Sequence, residues 1–248
     1  MDPRTRNRLV FLGGFLLYFG ILWSLWDTAL IYPLKVFVVF LHEVSHAVAA
    51  MATGGSVEQI TLDPNQGGAA YTVGGNAFLT LSAGYLGSLL WGALFILLGF
   101  SAWARPRWII GTLGVAVLVI TLSLVRNLFG VGFGLLFGGA LLVVARYLGQ
   151  SVNRMILLVL GLTSCLYAIL DIKSDVLDRP HLQSDAAMLA EMTGIPTPFW
   201  GFLWIGLALL VSAWLLRWVA RRVDQGGSGT SNRRAGWRKG KGGPRASA

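Results

Sequence analysis

Seven long apolar blocks constrain this chain more than any other feature: Leu9–Trp26, Thr28–Ala52, Ala77–Trp103, Trp108–Val125, Leu128–Ala145, Met155–Ile172 and Phe199–Leu216. A helix of roughly 18 residues or more, rising 1.5 Å per residue, is long enough to cross a hydrocarbon core of ~30 Å. With 55% hydrophobic and only 12% charged residues, the chain has too little polar surface for an ordinary soluble domain. Lipid leaves backbone groups only helices or closed barrels, and these blocks are too long and too continuously apolar for barrel strands. The fold class expected is an all-α polytopic membrane protein of about six to seven transmembrane helices.

Between the second and third blocks, Ser56–Leu62 and Ala69–Val73 carry strand-like residues around the turn-rich Asp63-Pro64-Asn65-Gln66-Gly67-Gly68. That pattern predicts a short β-hairpin inserted among the helices. After the sixth block, Ser184-Asp185 can cap a short helix from Ala186 to Thr193, ended by Gly194 and Pro196. Gly84, Ser88 and Gly92 in the third block, and Gly130, Gly134 and Gly138 in the fifth, form small-residue stripes that let helices approach closely.

The first block follows Arg4, Arg6 and Arg8 in the manner of a signal peptide, but it runs into Asp27 and further membrane sequence without an Ala-x-Ala-like site. It therefore reads as a retained span. Cys165 is the single cysteine and lies within a block, so no intrachain disulfide forms. The net charge of +9 does not indicate nucleic acid, because nine of the twenty Lys and Arg lie from Arg217 onward. Residues 224–248, rich in Gly, Ser and Arg, read as a disordered basic tail that meets the membrane surface, and residues 1–223 as one transmembrane domain. Seven spans place the termini on opposite sides, although both are basic. The positive-inside bias favours a cytoplasmic C-terminal tail, and one re-entrant block would reconcile the two ends.

Val36 to Ala52 reads VFVVFLHEVSHAVAAMA, an apolar run interrupted by His42, Glu43, Ser45 and His46. Spacing of i and i+4 puts both histidines on one helix face, one turn apart, where their imidazoles can share a zinc ion. Glu43 points beside that ion, placed to take a proton from the attacking water and pass it to the leaving amine. The run is H-E-x-x-H. Ionisable groups in a span cost about 2.5–3.5 kcal/mol each at its centre, so a purely structural cluster is the weaker explanation. A catalytic zinc wants a third protein ligand. Asp171, at the end of the sixth block, is the choice, with Asp175 one turn on as an alternative ligand or as a hydrogen-bond partner of a ligating histidine. Asp185 has a local explanation at the positive end of the helix it precedes but stays open as a further alternative for the third ligand, and His181, beside Pro180 in a polar loop, reads as exposed.

An H-E-x-x-H in an early span, followed by a Gly-rich hairpin and the small-residue stretch Ser82-Ala83-Gly84-Tyr85-Leu86-Gly87-Ser88, resembles the site-2-protease-like family of intramembrane zinc metallopeptidases. The stretch with Asp171, Asp175, Arg179, Ser184-Asp185-Ala186 and Trp200-Gly201 resembles its compact branch, which lacks PDZ and CBS domains. The resemblance covers roughly residues 30 to 205. Better-known members take their third ligand from a Leu-Asp-Gly motif; here Leu170-Asp171 is followed by Ile172. The resemblance implies one Zn2+ per chain, a multi-pass protein of the plasma membrane, and a transmembrane or membrane-proximal protein segment as substrate. It also implies that the hairpin can present that substrate as an added strand. The competing function is a non-enzymatic metal-binding scaffold or transport-like cavity, for which Glu43 has no use.

Overall fold

The computed structural model describes residues 3–26, 28–101, 103–178 and 183–239. Its elements in chain order are α1 (Pro3–Ser24), α2 (Tyr32–Ala52), β1 (Ser56–Leu62), β2 (Gly68–Val73), α3 (Ala77–Phe100), α4 (Pro106–Leu124), α5 (Leu128–Tyr147), α6 (Gln150–Lys173), α7 (Asp185–Thr193) and α8 (Thr197–Lys239). A π-helical turn, Ser174–Asp178, continues α6. The chain divides into two compact units, one of Asp27–Ser212 and one of Met1–Trp26 with Ala213–Ala248. Among the described residues, α2 to α6 and the Thr197–Arg222 part of α8 are long and apolar enough to cross a membrane. Those six coincide with six of the seven predicted blocks. The first block falls on α1, several of whose side chains lie outside the described set. The protein is thus a mostly helical, multi-pass membrane protein with one two-stranded antiparallel hairpin.

In the larger unit, α3 packs on both α2 and α6, and α4 packs on α5. The small-residue stripes make these approaches. A Cβ on Gly92 would stand 2.8 Å from the backbone oxygen of Gly161, and Ser164 donates to the Ser88 carbonyl at 2.7 Å. Backbones held that close leave no room for larger side chains.

Local chemistry explains how the hairpin is set. Gly54, at φ +88°, ends α2, and the Gly55 N–H closes back on the Ala50 carbonyl at 2.8 Å. The strands then pair from Ser56 with Val73 to Leu62 with Gly68, with a bulge at Glu58. Asp63 Oδ1 accepts from Asn65 N at 2.7 Å in the turn, and Tyr32 Oη donates to the Pro64 carbonyl at 2.8 Å. The outer edge of β1 is occupied by the α4–α5 connection. Arg126 N donates to the Ile60 carbonyl at 3.1 Å, while the Asn127 amide brackets Leu62, accepting from its N–H at 3.1 Å and donating to its carbonyl at 2.7 Å. The paired strand of this sheet is therefore β1, and β2 carries the outward edge.

The short helix also matches its sequence signals. Ser184 Oγ accepts from Ala187 N at the start of α7, and Gly194, at φ +73°, ends it. Ala186 and Leu189 of α7 enter a core with Tyr85, Ile172, Val176, Trp200 and Trp204. That packing draws the start of α7 in against α3.

Candidate metal centre

His42 is the eleventh of the 21 residues of α2, at mid-helix, and His46 follows one turn later. Their rings meet edge to face with centroids 4.7 Å apart. Both Nε2 atoms converge on one oxygen of Asp185, at 3.0 Å from His42 and 3.1 Å from His46. Among the described residues, His42, His46 and Asp185 form a group whose ligand atoms lie within 4.8 Å of one another. The edge of a tetrahedron with bonds of ~2.0–2.1 Å is about 3.3 Å, so this spacing fits one small ion after slight expansion.

Two further features set where the two imidazoles sit. Gly84 of α3 faces both imidazoles, and a Cβ there would stand 2.5 Å from His46 Nε2 and 2.6 Å from His42 Cε1. Any side chain at that position would fill the gap between the histidines. The His46 ring is also fixed in orientation, because Nδ1 lies 2.6 Å from the Thr80 carbonyl and must donate to it. Nε2 is then the bare nitrogen, available as a donor atom to a metal. Asp185 lies outside the six candidate spans. Burial opposes its ionisation, but the facing imidazoles of His46 and His42 hold its carboxyl below the usual carboxylate range. A carboxylate oxygen and two imidazole Nε2 atoms make a donor set suited to zinc, which takes each imidazole in its neutral form.

The sequence expectation places Asp171 as third ligand. The structure brings Asp185 to the Nε2 atoms of both histidines, and sets Asp171 by the other ring nitrogen of His42, with Oδ2 3.8 Å from Nδ1. The reason is geometric: Asp171 sits in the last turn of α6, behind the His42 ring, whereas α7 enters with its first residue aimed between the two rings. Asp175 accepts from Tyr85 Oη at 2.7 Å and does not join the group around Nε2. His181 and Arg179 lie outside the described residues.

Glu43 is buried beside this group, 5% exposed, under the start of β2. The Ala70 backbone N–H hydrogen-bonds its carboxylate. Gly68 lies so close that a Cβ would stand 2.7 Å from Oε1. The hairpin therefore sits directly on the carboxylate that neighbours the two histidines. The Thr80 carbonyl has no sequence signal of its own, and Gly68 and Gly84 read in the sequence only as turn and packing-stripe residues, since each acts by where its backbone lies. Asp185 does have one, an ionisable residue near an apolar core, which helix capping alone explains equally well.

Searches of curated proteins and of solved structures each return no match to this chain. The helical membrane core, the His42/His46/Asp185 group and Glu43 beside it agree with the one family assignment found. The Peptidase M50B-like sequence profile matches residues 15–215, and the chain belongs to that family.

Proposed function

We propose that this protein is an intramembrane zinc metallopeptidase that hydrolyses peptide bonds in transmembrane or membrane-proximal segments. The observation that carries the reading is the convergence of His42 Nε2, His46 Nε2 and the Asp185 carboxylate, with Glu43 next to them on the same helix. His42, His46 and Asp185 would hold the metal. When bound, zinc supplies Lewis acidity that activates water and polarises the scissile carbonyl. Glu43 takes the proton from the attacking water and delivers it to the leaving nitrogen, while the Ala70 N–H and the hairpin hold its carboxylate in place and keep bulk water away.

The position of His42, about 15 Å from either end of α2, supports cleavage at membrane depth. The outward edge of β2, beside Glu43, supports recognition of an extended substrate segment by strand addition. The protein works as a multi-pass component of the plasma membrane, with its basic C-terminal tail in the cytoplasm.

The test is Glu43→Gln in full-length protein reconstituted with a single-span substrate. Cleavage is expected to fall at least ~1000-fold while zinc content stays at one per chain; general base catalysis by itself accounts for 10²–10⁴-fold. Unchanged function with zinc still bound in that variant refutes the assignment of Glu43 and favours a metal-binding scaffold instead.

A further inference from the structure

A histidine that offers Nε2 to a metal carries its proton on Nδ1, and a buried N–H needs an acceptor. For His46 the acceptor is the Thr80 carbonyl. For His42 it is missing: Nδ1 is buried and makes no hydrogen bond among the described residues. The carboxylate facing it is Asp171, at 3.8 Å, with the Asp171 side chain only 18% exposed. A shift of about 1 Å brings that pair to hydrogen-bond length.

The surroundings of Asp171 are built to hold it there. Asp175 follows one turn later, at the start of the π-helical turn, and Tyr85 Oη donates to it at 2.7 Å. The same Tyr85 ring stands edge-on to His42, with centroids 4.9 Å apart and planes at 84°. Tyr85 thus braces both the imidazole and the end of α6 from which Asp171 projects. Tyr85 is itself locked in the core with Ile172, Val176 and Trp204.

We infer that Asp171 is a positioning residue: it accepts the Nδ1–H of His42, fixes that ring with Nε2 toward the metal, and is not itself a ligand. Tyr85, through Asp175 and through its contact with His42, sets the distance. This role rests on the zinc reading proposed above. It divides the three acids between two sides of one imidazole, Asp185 on the metal side and Asp171 behind, with Asp175 held by Tyr85.

The experiment uses the full chain in detergent and the metal alone as probe. Zn2+ affinity is measured by competition with a chromophoric chelator, and coordination by the visible spectrum of the Co2+-loaded protein. The variants are Asp171→Asn, Asp171→Ala, Tyr85→Phe and Asp185→Ala. Loss of an outer hydrogen-bond partner costs about 10–100-fold in metal affinity. Asp171→Asn, which keeps an acceptor oxygen, is expected near the low end, Asp171→Ala near the high end, and Tyr85→Phe below both, all with the wild-type Co2+ spectrum. Asp185→Ala alone should change or abolish that spectrum. Melting of the metal-free Asn variant at the wild-type temperature separates the effect from misfolding.

Unchanged zinc affinity in Asp171→Asn and Asp171→Ala overturns the proposal, as does an altered Co2+ spectrum in either, which would make Asp171 a ligand. A wild-type chain that takes up no metal sinks the peptidase reading itself, a different and separately visible result.

Discussion

Gly84→Ala is the sharpest single test of the metal centre, because the added atom is small and its destination is known. Gly84 lies inside α3, so alanine suits its backbone and, in a helix interior, is favoured over glycine by about 1 kcal/mol. The methyl would stand 2.5 Å from His46 Nε2 and 2.6 Å from His42 Cε1, against ordinary heavy-atom contacts of about 3.5–4.0 Å. Something must move by about 1 Å. Metal–ligand distances tolerate only about 0.2 Å, so either imidazole, once displaced, ceases to be a useful ligand. Zinc affinity is expected to fall at least ~100-fold, equivalent to about 2.7 kcal/mol. Chelator competition on purified protein in detergent reads this directly. Gly139→Ala in α5 is the control, since no described atom lies within 4 Å of its Cβ position and its affinity should match wild type. Zinc binding in Gly84→Ala within about threefold of wild type refutes the placement of the ion between the histidines.

Two further substitutions probe the hairpin. Gly68→Ala drives a methyl against Glu43 Oε1 and Cγ, so it is expected to lower the turnover number at least ~10-fold while leaving zinc content unchanged; loss of zinc would contradict it. Asn127→Ala removes both hydrogen bonds to Leu62, with a cost of about 1–3 kcal/mol. Hydrogen exchange at the Leu62 amide should accelerate while exchange within α3 and α6 stays as in wild type, and uniform acceleration would show that the contact supports the whole fold instead of one edge.

Much of this architecture is legible in the residues. Hydrophobic length alone identifies six spans, and turn chemistry around Asp63-Pro64-Asn65 places the hairpin to within one residue, since β2 starts at Gly68 instead of Ala69. The His42 and His46 pair follows from helical periodicity. The third member of the group does not, because its position depends on how α7 packs in a core with Ile172, Val176 and Tyr85, the last about 100 residues away in sequence. A local argument places Asp185 at the positive end of α7, which Ser184 caps as the sequence suggests, yet the Asp185 carboxylate is aimed at the imidazoles. Gly84 reads as part of a packing stripe, while its neighbours are in fact His42 and His46. Periodicity finds which face a residue occupies but not what stands opposite it.

The Asn127 bracket on Leu62 gives the sheet a direction of growth. With β1's far side already taken by residues 125–127, the strand addition proposed above is confined to β2. Strands lie about 4.8 Å apart, so a peptide on the β1 side would run two strand spacings, nearly 10 Å, from β2 and out of reach of Glu43. On the proposed strand addition, a pair of amide hydrogen bonds to Leu62, the residue paired with Gly68, decides which side of the hairpin can be productive.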